Sequence, residues 1–216
     1  MSSFFAFVQD NWAVISANGW YHLWLVIQSL FLATIIGVVL AVLVYRSKSG
    51  SSVANSLSAV GLTIPSFAML GVLTGAIPNG ILLSVLALVF YGMLPIVRNA
   101  IVGLQGVDQA LVESAKGMGM SRFTTLVKLE IPMAWPVIMT GVRVSGQMLM
   151  GIAAIAAYVQ GPGLGGFIFS GISRTGGANA IESVVLGTVA IILLAIVLDL
   201  ALTVVKRTTT SRGIRV

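Results

Sequence analysis

The chain has no cysteine. Disulfide bonds, thiolate metal sites and cysteine nucleophiles are therefore excluded, and nothing about the redox compartment can be read from cysteine spacing. Charge is scarce as well. Asp, Glu, Lys and Arg make up 8% of 216 residues against 57% hydrophobic residues, and so few polar side chains cannot cover a compact soluble globule of this size. His22 is the only histidine and sits beside Trp20, Tyr21 and Trp24, a setting that predicts an aromatic belt at a membrane interface rather than a metal ligand. No G-x-x-x-x-G-K-[ST] run occurs, so the P-loop cradle for ATP phosphates is missing. Neither a Ser-His-Asp set nor paired carboxylates stand out, and the chain is read as having no catalytic residue, cofactor site or metal site of its own. No positive stretch precedes the first apolar run, which predicts a first helix that is retained rather than cleaved as a signal peptide.

What is present is apolar sequence in long blocks. Mean hydropathy is +1.04, and the blocks approach the roughly 20 residues that a helix needs to cross a hydrocarbon core of about 30 Å. Five spans are expected, at 24–45, 53–73, 81–97, 134–158 and 184–205. The runs are continuous and lack the period-2 alternation of a membrane barrel. They predict an all-α polytopic membrane helix bundle, a single domain over 1–216. No Lys or Arg occurs before Arg46; Arg46 and Lys48 follow the first span, Arg98, Lys116, Arg122 and Lys128 the third, and Lys206, Arg207, Arg212 and Arg215 the fifth. By the positive-inside rule these regions are cytoplasmic and the N-terminus lies outside. The net charge of +6 is mostly this cytoplasmic excess, and no nucleic-acid partner is needed to explain it.

Six charged residues, Asp108, Glu113, Lys116, Arg122, Lys128 and Glu130, crowd into 107–132 of a chain with 12 Lys and Arg and 6 Asp and Glu in all. They fall in the longest internal loop, 98–133. Asp108 is a fitting N-cap for a short helix over 109–116, which Gly117 and Gly119 break. Ser121 caps a second short helix running to about Leu129, and Pro132 closes it. From the residues alone, a docking device for a cytosolic partner and an ordinary solvated loop are equally open.

The spacing of this loop resembles a known signature. Glu113-Ser114-Ala115, Gly119 six residues after the Glu, then Leu129, Ile131 and Pro132 are similar to the EAA motif of ABC importer permeases, roughly E-A-A-x3-G-x9-I-x-L-P. Ser114 stands where Ala is usual, and Leu129 and Ile131 have exchanged their identities. "GLTIPSFAMLGVL", "FYGMLPIVRNAIVGL" and "GPGLGGFIFSGISR" resemble permease subunits of osmoprotectant importers. The resemblance implies a multi-pass permease of the prokaryotic inner membrane. Its coupling helices, with Glu113, Ser114, Ala115, Gly117, Gly119, Arg122, Ile131 and Pro132, would seat on a cytosolic ATPase dimer that holds ATP and Mg. It further implies a second permease copy, identical or a sister, and an external substrate-binding protein. The implied cargo is glycine betaine, carnitine or choline, with another small zwitterion or amino acid as the alternative. A reading from another class is a proton-coupled carrier or channel using Asp199 as its titratable group, although no internal repeat of the kind many carriers use is visible.

Pro65 and Pro95 lie within spans two and three and each removes a backbone N–H, leaving the carbonyls of Gly61 and Tyr91 without their usual partners. Candidates for a substrate path are Pro65, Ser66 and Phe67 with Ser145 and Gln147, each of which core packing would also explain. No cage of Trp and Tyr is evident inside the spans, so a weak passage is expected rather than a tight site. In the glycine-rich segment 160–180 the apolar run 164–172 predicts a short helix at the outer face. The family resemblance makes Phe167, Ile168, Phe169 and Arg174 a docking surface for the binding protein, with packing over the bundle as the alternative. Arg143 and Asp199 each lie in the inner half of a span, where an unpaired charge costs about 2.5–3.5 kcal/mol, and they are expected to pair.

Overall fold

The computed structural model describes residues 2–210; Arg212 and Arg215 lie outside them. The fold is all-α. A short α1 (Ser2–Asp10) leads into α2 (Trp12–Val44), which starts earlier than the expected span at 24. Between Trp12 and Trp24 there is no proline and a single glycine, Gly19, and one glycine costs about 1 kcal/mol, too little to break a helix that is packed along its length.

Ser47 caps α3 (Lys48–Thr63), accepting the Gly50 N–H at 3.0 Å. The expected second span is not one helix. α3 stops before Pro65, and α4 (Ser66–Thr74) departs from it at 85°. The proline ring disfavours the helical region for the residue before it, and Ile64 is extended at φ −67°, ψ 124°. Gly61 keeps a partner after all, because the Ile64 N–H donates to its carbonyl at 3.3 Å. The Ile64 carbonyl in turn accepts from the Tyr91 hydroxyl at 2.8 Å.

Asn79 caps α5 (Gly80–Gln105), which passes through Pro95 unbroken and continues beyond the expected end at 97. The loop is correspondingly shorter than 98–133. It contains α6 (Gln109–Gly117) and α7 (Arg122–Thr125), and a wide π-type turn over Leu126–Glu130 leads directly into α8 (Ile131–Ala156). Pro132 therefore opens α8 rather than closing the helix before it, since in a first turn its missing N–H interrupts little. A 3-10 turn (Ala157–Val159), α9 (Gly165–Ser173) and α10 (Ala180–Thr209) complete the chain. The α2 and α5 helices, the run Arg122–Val159 and α10 are each long and apolar enough to cross a membrane, and the bent α3–α4 pair supplies a fifth candidate span.

At the centre α5 is packed against α2 and α8, its buried side including Leu88, Ile96, Ala100 and Leu104. The α5–α8 approach is nearly backbone to backbone at Gly141, where a Cβ would stand 2.8 Å from the Asn99 Cβ and 3.0 Å from the Pro95 carbonyl oxygen. His22 departs from the belt expected of it. Trp20, Tyr21 and Trp24 are exposed, whereas His22 is fully buried, its Nε2 3.2 Å from the Met150 carbonyl oxygen and its ring against Gly163. Neighbours in a helical sequence point about 100° apart, so an inward residue can sit among outward ones.

Candidate functional site

The loop between α5 and α8 is built from local capping rules. Asp108 accepts the Ala110 N–H at 2.9 Å and starts α6. Its far end is a Schellman closure. Gly119, at φ +84°, donates to the Lys116 carbonyl at 2.9 Å, and Met120 donates to the Ala115 carbonyl at 3.1 Å. That left-handed position suits glycine, which has no Cβ to oppose it. Ser121 then caps α7, accepting the Thr124 N–H at 3.2 Å.

These helices present two sides. Val112, Ala115 and Thr125 are buried against the bundle. Glu113, Ser114, Gly117, Gly119 and Arg122 are exposed, together with Met118 and Phe123, which are 76% and 75% exposed. The residues of the EAA-like motif are thus divided. Ala115 anchors, half-buried Ile131 and exposed Pro132 begin α8, and the remainder forms an open, mixed polar and apolar surface.

A second attachment was not legible in the sequence. The π-type turn closes with the Ile131 N–H on the Leu126 carbonyl and leaves Glu130 only 3% exposed. The Tyr45 hydroxyl donates to one carboxylate oxygen of Glu130, and Arg46 donates to the other at 2.9 Å. The Arg46 guanidinium also lies 5.1 Å from the centre of the Tyr45 ring, and Gln105 donates to the Tyr45 carbonyl at 2.8 Å. Burial first, and then the bond to Glu130, push the phenol of Tyr45, one residue beyond α2, up to about 12, so it remains the donor at neutral pH. The ends of α2 and α5 and the start of α8 are tied together here. A cavity of about 440 Å³ beside the tie is lined by Arg46, Gln105, Lys116, Arg122 and Glu130 among others. The available signal was an acid two residues before Pro132 and a basic pair after span one, but no spacing rule joins residues this far apart.

Along the α8–α10 seam the structure brings Arg143 and Asp199 together in a bidentate pair, with Nε to Oδ1 at 3.0 Å and a terminal nitrogen to Oδ2 at 2.8 Å. Gln147 donates to the same carboxylate at 3.0 Å. Toward the basic end the seam continues with Lys206 donating to Thr140 at 3.2 Å and Trp135 to Thr209 at 2.7 Å. The candidate path residues are not one group. Ser145 is fully buried between α5 and α8, donating to the Gly92 carbonyl at 2.6 Å, and Gln147 belongs to the seam. Only Pro65, Ser66 and Phe67 remain together, at the α3–α4 break.

The glycine-rich end divides its candidates too. Phe167 and Ile168 pack against the core, closely enough that a Cβ on Gly187 would stand 2.8 Å from Ile168, and Ser183 donates to the Phe167 carbonyl at 2.8 Å. These two side chains serve the α9–α10 contact, so the apolar run has an inward face that composition could not assign. Phe169 lies against Tyr158, and Arg174 folds back to the Ser170 carbonyl at 3.0 Å while staying exposed. Among the described residues no group of three His, Asp or Glu side chains could hold a metal ion.

Residues 33–211 match the family model described as binding-protein-dependent transport system inner membrane component. The chain is 34% identical over 215 residues to the glycine betaine/carnitine/choline transport system permease protein OpuCB of Bacillus subtilis strain 168, covering 100% of this chain and 97% of that one. It is 39% identical over 214 residues to the osmoprotectant import permease protein OsmW of Salmonella typhimurium strain LT2, covering 97% and 98%. Among solved structures, an inward-facing form of the MetNI methionine ABC transporter superposes with a TM-score of 0.75 at 20% identity, covering 91% of this chain and 96% of that one. At that identity the likeness shows the fold.

Proposed function

Because the chain belongs to the family of binding-protein-dependent transport system inner membrane components, we propose that the loop 106–130 seats a cytosolic ATPase dimer and that the bundle passes a compatible solute such as glycine betaine, carnitine or choline. A member of this family is a non-catalytic transmembrane permease subunit of an ABC importer, which works with a separate ATPase and a substrate-binding protein. ATP and Mg would be held by the ATPase.

The observation that carries the reading is the two-sided loop. Its outer side offers Glu113, Lys116, Met118, Arg122 and Phe123 to a soluble partner, while its inner side is fastened through Val112, Ala115, Thr125 and Glu130. A partner that moved the loop would move three helix ends at once, because Glu130 is held by Tyr45 and Arg46 beside the end of α5. The π-type turn makes α7 and α8 one helical run. Displacement at Arg122 would therefore travel along the axis of a span rather than dissipate in a flexible joint.

In this reading the N-terminus is external and the basic end faces the cytoplasm. A second permease copy, identical or a sister, completes the path, and the exposed apolar side of α10 with Ile192, Leu193, Ile196 and Val197 is available to it or to lipid. Exposed Ile172 and Arg174 are the parts of the outer segment best placed to meet the binding protein, since Phe167 and Ile168 are turned inward. The cargo follows from the osmoprotectant permeases that this chain matches along nearly its whole length.

The test is reconstitution with the ATPase and binding protein, reading ligand-stimulated ATP hydrolysis and uptake of glycine betaine, carnitine, choline, proline and methionine in parallel. Uptake of the quaternary ammonium compounds is expected. Uptake of methionine alone would refute the cargo, and failure of an ATPase to co-purify with the intact permease would refute the role of the loop.

A further inference from the structure

At the glycine-rich end, three aromatic rings from separate elements form a row. Phe67, in the first turn of α4, lies 4.9 Å centre to centre from Tyr158 in the 3-10 turn after α8. Tyr158 lies 5.3 Å from Phe169 of α9. The interplanar angles are 49° and 57°, so the rings are tilted and not stacked flat upon one another. Tyr158 is 62% exposed and Phe67 49%. Tyr158 also borders a cavity of about 330 Å³ with Thr74, Ile77, Pro78 and Gln160, near the lower end of the roughly 300–1,000 Å³ usual for small-molecule sites.

Next to the row the backbone leaves the helix. Thr63, Ile64 and Pro65 are exposed at the α3–α4 break. Irregular backbone at membrane depth is stable only where protein covers it or water reaches it; here the Tyr91 hydroxyl satisfies the Ile64 carbonyl on one side, and the other side stays open. Interrupted helices of this kind form substrate sites in other transporters for the same reason. None of the residues lining the cavity carries a formal charge, so a cation entering here would meet the Tyr158 ring, with Phe67 and Phe169 beside it, and no counter-ion. A fully methylated ammonium suits those surroundings, because it has no N–H to satisfy and is attracted to the negative face of an aromatic ring.

We infer that Phe67, Tyr158 and Phe169 form a cation–π contact surface for the quaternary ammonium group of the cargo as it passes through the permease. The inference rests on the cargo class proposed above. Open rings attract a cation weakly, by roughly two- to fivefold in affinity per ring. That strength favours entry without trapping the cargo, as a passage requires. The attraction uses the ring face, so the Tyr158 hydroxyl is dispensable to it.

The decisive probe is choline beside its uncharged isostere, in which a tert-butyl group replaces trimethylammonium. Both are applied to the permease–ATPase complex in phosphatidylcholine-free nanodiscs without binding protein, and contact with the aromatic protons is read by saturation-transfer NMR as differences between variants. Choline contact above that of the isostere is expected in the wild type and in Tyr158→Phe, with a roughly two- to fivefold drop in Tyr158→Leu. In the complete importer at saturating binding protein, Tyr158→Leu is expected to lower glycine betaine uptake per ATP hydrolysed roughly two- to fivefold, and Tyr158→Phe to leave it unchanged. Equal contact by the isostere, contact undiminished in Tyr158→Leu, or separation of the two permease copies by that substitution would each overturn the inference. Tyr158-dependent choline contact in an importer that carries no quaternary ammonium cargo would support the ring surface and refute the cargo assignment, so the two can be told apart.

Discussion

Replacing Gly119 by valine places a β-branched side chain at φ +84°. The surroundings offer no objection, since a Cβ there would meet nothing within 4 Å. The whole cost is therefore the residue's own backbone conformation, about 1–2 kcal/mol for an ordinary L-residue and up to about 3 for a strained one. The Schellman bonds from Gly119 to Lys116 and from Met120 to Ala115 depend on that conformation, so the α6–α7 turn would lose population by a factor of roughly 5–30 per one to two kcal/mol. The buried core of the bundle is untouched, because Gly119 is exposed. Asparagine tolerates the left-handed region and alanine does so less well, which predicts a graded series for uptake: glycine and Gly119→Asn close together, Gly119→Ala lower, Gly119→Val lowest. Membrane abundance and thermal stability should stay nearly level across the series, while ATPase co-purification and uptake fall along it. Normal uptake by Gly119→Val would refute the argument, and equal losses in all three variants would show that bulk at the partner surface matters rather than the turn.

Arg143→Gln and Asp199→Asn are each expected to lower thermal stability, and the double variant to be no worse than the more damaging single one, with a coupling of roughly 0.6–1.7 kcal/mol; strictly additive losses would show that the bidentate pair is energetically idle. Glu130→Gln weakens the hold of Tyr45 and Arg46 on the loop by about 1–3 kcal/mol, which hydrogen exchange should report as faster exchange over 106–130 with the bundle unchanged; unaltered exchange in the loop would refute the anchor. Gly141→Val drives a side chain into the Asn99 Cβ and the Pro95 carbonyl oxygen, and a loss of about 1–3 kcal/mol or more is expected as reduced membrane abundance and a lower melting temperature; wild-type stability would mean that α5 and α8 can separate at little cost.

Much of this architecture follows from the sequence alone, because it depends on energies that act over a few residues. Long apolar blocks demand helices in a membrane whatever surrounds them, and the caps at Asp108 and Ser121 and the turn at Gly119 use bonds to residues at most five positions away. Pro65 was legible as a disturbance for the same reason. Whether the chain would bend or break there depended on the Tyr91 hydroxyl taking the Ile64 carbonyl from a neighbouring helix. That two charges in spans need partners follows from transfer cost, but the fit of Arg143 to Asp199 is a property of how α8 lies along α10. Tertiary structure alone decided that His22 points inward among outward aromatics, that Phe167 faces α10 while Phe169 joins Tyr158, and that Glu130 ends between Tyr45 and Arg46. Each is a choice of helix rotation. Rotating an apolar helix about its axis exchanges one apolar face for another at little transfer cost, so composition cannot choose among rotations, whereas close packing and the need to satisfy each buried polar group select one.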